Sequence, residues 1–155
     1  MKIWFSLLFF LATANSFAQT DVFREKQFNL DEGVAIKGFD PVSYFTQNKA
    51  VKGKKEFSLP YRGVNYHFAS AADRDLFQAN PAKYEPQYGG WCAYAMGNDG
   101  SKVEVDPETF KIINGKLFLF YNRFFNNTLK TWNQDEVKLH NQADVNWQKI
   151  VQTKS

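Results

Sequence analysis

The chain has 155 residues, of which 44% are hydrophobic, 17% aromatic and 23% charged, and its formal net charge is +3. That length fits one domain with a single core, and so small a basic excess gives no reason to expect nucleic acid or another polyanion as a partner. A single cysteine excludes an internal disulfide.

Residues 1–18 read as an export signal: Lys2 supplies a positive start, Ile3 to Ala12 is almost wholly apolar, and Ser16-Phe17-Ala18 places small residues at a cleavage site after Ala18. The apolar run is about half of the ~20 residues a membrane-spanning helix needs, so no span is expected in the mature chain. The expected location is periplasmic or secreted; an uncleaved signal would instead act as an anchor. Removal of 18 residues leaves 137 of the 155, beginning at Gln19.

Residues 19–32 are expected to form an N-terminal arm or short strand, and 33–155 the folded domain. In Gly38-Phe39-Asp40-Pro41-Val42-Ser43-Tyr44-Phe45, Asp40 suits a helix cap and Pro41 the first turn, where no backbone N–H is needed. Lys55 to Tyr61 and Val64 to Ala69 flank Arg62-Gly63 and predict a β-hairpin. Alternation puts Tyr66, Phe68 and Ser70 on one strand face, with His67 and Ala69 on the other. Ser70 followed by Asp73 predicts a capped helix that buries Leu76 and Phe77 and ends near Asn80-Pro81. A short helical turn is expected over Pro81 to Tyr88, then a tight bend at Gly89-Gly90 and a helix carrying Cys92 and Met96 that ends over Gly97 to Gly100.

Val103 to Val105, Lys111 to Ile113 and Leu117 to Tyr121 look like strands, with Asn114-Gly115 the strongest hairpin signal. Asp106-Pro107-Glu108 repeats the cap-then-proline device. From Phe125 onward the pattern turns helical, predicting two C-terminal helices broken near Asn133 to Asp135. The expected class is α+β, with hairpins and helices around one aromatic core.

Four motifs in order, Gly38 to Phe45, Tyr66-His67-Phe68-Ala69-Ser70, Asn80-Pro81-Ala82-Lys83-Tyr84 and Tyr88-Gly89-Gly90-Trp91-Cys92-Ala93, resemble the YHS-domain family in its exported, single-domain bacterial form. Asp106-Pro107, Asn114 to Leu117, Trp132 and Ala143 to Trp147 fit it too, and the match covers residues 33 to 150. The resemblance implies a treble-clef-like module with C-terminal helices, and metal binding. It also implies that a selenocysteine can stand at the position of Cys92. The chain lacks the additional cysteines of the metal-binding relatives, which argues against a closed tetrahedral zinc site.

Read on its own chemistry, the lone Cys92 is a reactive thiol, a soft-metal ligand, an intermolecular bridge or an inert buried side chain. On a helix, Cys92 and Met96 share a face, with Cβ atoms about 5–6 Å apart. Thiolate and thioether donors favour a copper(I) ion, and His67 or His140 would supply a third donor. The expected metal set is Cys92, Met96 and His67. In a redox role Cys92 is the reacting group, and a small thiol or a partner protein completes the cycle. As a noncatalytic interaction module, the chain merely packs its cysteine. No catalytic constellation is evident: Asp40, Asp73 and Asp106 have cap explanations, Glu108 pairs with none of them, and no nucleophile elbow, phosphate loop or dinucleotide fingerprint occurs.

Overall fold

The computed structural model describes residues 12–152. The expected export signal at 1–18 therefore lies partly outside the described residues, and its last part falls within helix α1 (Ala12–Gln27). The segment from Thr20, expected as an arm or short strand, continues this helix and becomes a strand only at β1 (Leu30–Asp31). Distant contacts hold it there. The Arg24 guanidinium lies 2.6 Å from the Glu85 carboxylate and 4.4 Å above the Phe28 ring, and Trp91 Nε1 donates to Gln27 O at 2.7 Å.

The expected α+β class is the one the chain adopts. One sheet has the order β1, β2 (Val34–Ala35), β4 (Val64–Phe68), β3 (Lys54–Tyr61), with β2 parallel to β4 and the other pairs antiparallel. The β3–β4 hairpin turns at Arg62-Gly63 as expected. In β4, Val64, Tyr66 and Phe68 are buried while Asn65 and His67 point the other way, the period-2 pattern of a half-buried strand. Helix α2 (Ser43–Thr46) begins two residues later than the sequence suggests, because Asp40 caps the preceding turn: its carboxylate accepts the Val42 N–H at 2.8 Å and the Ala69 N–H at 2.8 Å.

Helix α3 (Ala71–Ala79) is capped by the Ser70 hydroxyl, which accepts the Asp73 N–H at 3.1 Å, and it ends before Pro81, where α4 (Pro81–Tyr84) starts. Phe77 is fully buried, with ring centroids of Tyr66, Phe68 and Tyr61 at 4.6, 5.2 and 5.9 Å. Each such ring pair is worth about 0.5–1.5 kcal/mol beyond area burial. Leu76, expected beside it in the core, is exposed, since the next residue of a helix is rotated away from the buried stripe.

Further on, α5 (Ala93–Asn98) precedes β5 (Asp106–Ile113) and β6 (Lys116–Phe120), which pair across the expected Asn114-Gly115 turn. Val103 to Val105 is irregular and not a strand. Asp106-Pro107 opens β5 and not a helix; the Asp106 carboxylate accepts the Glu108 N–H at 3.1 Å and the Thr109 hydroxyl at 2.9 Å in a local turn. The two C-terminal helices, α6 (Thr128–Trp132) and α7 (Glu136–Gln152), break where expected. Between β6 and α6 the sequence reading missed a small hairpin, β7 (Asn122–Arg123) and β8 (Asn126–Asn127).

Strand β6 divides the interior. Leu117 and Leu119 join the core over the larger sheet, with Tyr44, Tyr66, Phe68 and Phe77; Phe118 and Phe120 join a second core with Met96, Trp132, Leu139 and Ala143. A continuous apolar run in a strand covered on both faces gives this result. Helix α7 closes the second core against α5, where the backbone of Leu139 runs so close to Gly97 that no Cβ fits.

Candidate functional site

Cys92 is the residue that precedes α5, and it is held from both sides along the backbone: its N–H donates to Val103 O at 2.9 Å and its carbonyl accepts the Met96 N–H at 3.0 Å. Its side chain has no exposed surface. The sulfur accepts the Tyr121 N–H at 3.4 Å and lies 3.4 Å from the Thr128 hydroxyl oxygen. Thr128 has one hydroxyl proton, which it donates to Tyr121 O at 2.9 Å. The contact between the two side chains is therefore S–H donating to the threonine oxygen. The Thr128 N–H also donates to Tyr121 O, at 3.0 Å. Tyr121 and Thr128 are the residues on either side of the β7–β8 hairpin, so the thiol closes a ring of hydrogen bonds at the hairpin's neck.

The other expected ligands lie elsewhere. Met96 is fully buried but packs in the second core, whereas Cys92 packs in the first. Cys92 occupies the position just before the first helical residue, with no side-chain cap hydrogen bond, and Met96 lies within the helix. His67 is on the outward face of β4, next to Gly38 and the Lys52 ammonium. Partial burial, then the positive charges of Lys55 and Lys52, hold its pKa below the usual histidine value. The imidazole is thereby kept neutral, but the same two ammonium groups repel an incoming cation. His140 on α7 packs its ring edge-on against Phe118 at 5.0 Å, and its Nε2 lies 3.7 Å from the Asp144 carboxylate. Among the described residues no three histidine, cysteine, aspartate or glutamate side chains cluster closely enough to hold a metal ion. The expected copper donor set does not fit this arrangement.

Two further features were not legible in the sequence. A groove of about 680 Å³ runs between α1, the 3₁₀ turn Gln87–Gly90 and α7, with Phe23, Phe28, Tyr88 and Trp147 among its walls. Of the charged groups that line it, Arg24 pairs with Glu85 and the Asp144 carboxylate accepts the Tyr88 hydroxyl at 2.8 Å, while Arg62 and Lys116 lie on the same walls. Tyr66 donates to Glu85 at 2.6 Å behind it; burial first, then the Glu85 charge, holds that phenol well above the usual tyrosine pKa, so it remains a proton donor. The tyrosines with buried rings, Tyr44, Tyr66, Tyr84 and Tyr88, are core residues.

The second feature is the tip of the β7–β8 hairpin. Phe124 and Phe125 form its two-residue turn and are 89% and 110% exposed. Every other phenylalanine with a described side chain is buried or half-buried. Asparagines on both sides of the pair, at 122, 126 and 127, are the local signal that could have marked a turn there.

Comparison of the chain with protein-family models, curated proteins and solved structures finds no match.

Proposed function

We propose that this chain is an exported, noncatalytic binding module of the YHS type, in which Cys92 is a structural residue and the β7–β8 hairpin is the presented element. The observation that carries this reading is the sealed sulfur, whose hydrogen-bonding capacity is used up by Tyr121 and Thr128. Soft-metal binding and thiol redox chemistry both require a sulfur that an ion or an oxidant can reach, and both require the neck of the hairpin to open first. Structural cysteines in such surroundings are inert.

Two measurements on the folded protein test the reading. Alkylation of Cys92 proceeds only as fast as the protein unfolds, and added copper(I) leaves that rate unchanged. Rapid labelling of the native protein, or protection by about one copper(I) per chain that Cys92→Ser abolishes, would return Cys92 to a ligand or redox role.

A further inference from the structure

Four hairpins in this protein turn on two residues with positive φ at both, the sign pattern of a type I′ turn: Glu32-Gly33 (50° and 81°), Arg62-Gly63 (48° and 80°), Asn114-Gly115 (50° and 71°) and Phe124-Phe125 (52° and 65°). Such turns strongly favour glycine, because a Cβ crowds the carbonyl in the left-handed region. Three of the four have glycine at the second position. The fourth carries two bulky aromatic residues there, and its geometry is otherwise the same. The strain purchases no packing, because both rings point into solvent.

We infer that Phe124 and Phe125 are a membrane-surface anchor that inserts into the interfacial region of a lipid bilayer. This rests on the reading of the hairpin as the presented element. Two exposed phenylalanines offer roughly 300–500 Å², short of the ~800 Å² per partner that a stable protein interface or dimer buries. A bilayer needs no complementary surface. The patch is also convex, as a wedge between lipid headgroups must be, and the polar Asn126 and Asn127 mark the depth at which it stops. The nearest charged side chains in sequence on both sides are positive: exposed Arg123 directly precedes the rings and exposed Lys130 follows on α6. Strand β5 is tied to β7 by Asn122 Nδ2, which donates to Thr109 Oγ1 at 3.0 Å; of its carboxylates, Asp106 accepts from the Glu108 N–H and the Thr109 hydroxyl, and Glu108 is exposed. Anionic headgroups therefore add attraction to the insertion of the rings.

The test uses the full chain and vesicles of phosphatidylcholine with and without phosphatidylglycerol. Phe124→Asn with Phe125→Gly converts the turn to the favoured sequence. The double variant melts at a higher temperature than the parent and binds vesicles about a hundredfold more weakly. The apolar run at residues 3–12 is common to both proteins, so a local probe separates its contribution: in Phe125→Trp the added indole shifts to the blue on vesicles and is quenched by brominated acyl chains. Arg123→Gln with Lys130→Gln weakens binding several-fold on phosphatidylglycerol vesicles and leaves phosphatidylcholine binding unchanged. An added indole that brominated lipid does not quench overturns the inference. So does concentration-dependent self-association that the double variant abolishes, which would assign the rings to a second copy of the chain. Thiol labelling reports separately on Cys92, so failure of the membrane inference is distinguishable from failure of the binding-module reading.

Discussion

The neck and the tip of the β7–β8 hairpin treat their most informative side chains in opposite ways. At the neck the chain's single thiol, a group with chemistry to offer, is closed off and hydrogen-bonded at 3.4 Å to each of two partners. At the tip, a few residues away, two phenylalanines that would fit a core stand in water on a strained turn. The difference separates reactivity from presentation: the sulfur contributes by holding the hairpin's shape, and the rings contribute by being displayed on it.

The largest expected effect tests the closed half of this contrast. If Cys92 is reached only through global unfolding, its alkylation in the native protein is suppressed at least ~10³-fold relative to the denatured chain, as a typical domain stability requires. A suppression of tenfold or less, read from mass-spectrometric labelling kinetics, would make the neck an open site.

Next in size is Cys92→Ala. It removes the acceptor of the Tyr121 N–H and leaves a small void, at a cost of about 1–3 kcal/mol. If the thiol holds the neck, hydrogen exchange at the Tyr121 amide accelerates more than at amides of β4. Equal acceleration in both places would show that Cys92 supports the core generally and the hairpin not at all.

The open half is tested by the turn variant Phe124→Asn with Phe125→Gly, which relieves the left-handed strain and raises stability by about 1–2 kcal/mol in chemical denaturation. A loss of stability would mean that the rings pack against the protein and are not on display.

Asp40 extends the comparison to another reactive group held inside. Burial, opposed by the backbone hydrogen bonds from Ala69 and Val42 and assisted by the Asp73 charge, raises its pKa to about 6 from the ordinary 3.8. Its contribution to stability is therefore full below the unfolded-state value and is lost as pH rises through the folded-state value. Between about pH 7 and pH 5 this group alone makes the protein more stable by about 1 kcal/mol, and Asp40→Asn flattens that part of the profile. A slope unchanged by the substitution would show that the carboxyl is not the titrating group.

Much of the scaffold could be read residue by residue. The alternation in Val64 to Phe68, the glycines at 63 and 115, the Ser70 cap and the break near Asn133 all act within a few positions of chain, and they appear where expected. The same local logic misplaced Asp106-Pro107, because an aspartate before a proline suits the head of a helix and an irregular strand entry equally well. It also took the residues after Phe125 as helix, since two phenylalanines without glycine or proline carry no turn signal.

The candidate site was less legible. Cys92 and Met96 look like partners when four positions are counted along a helix, yet the helix starts one residue after Cys92, and the two side chains enter cores on opposite sides of β6.

By itself, then, the amino-acid order determined the α+β class, the two glycine-based hairpins at Arg62-Gly63 and Asn114-Gly115 and the position of the one thiol, because turn chemistry, capping and hydrophobic alternation are properties of neighbouring residues. Only the tertiary structure decided that the thiol is closed and that Phe124 and Phe125 are open. The partners of the Cys92 sulfur come from 29 and 36 positions along the chain, and contacts across such separations follow from how elements pack and leave no periodic trace in the sequence.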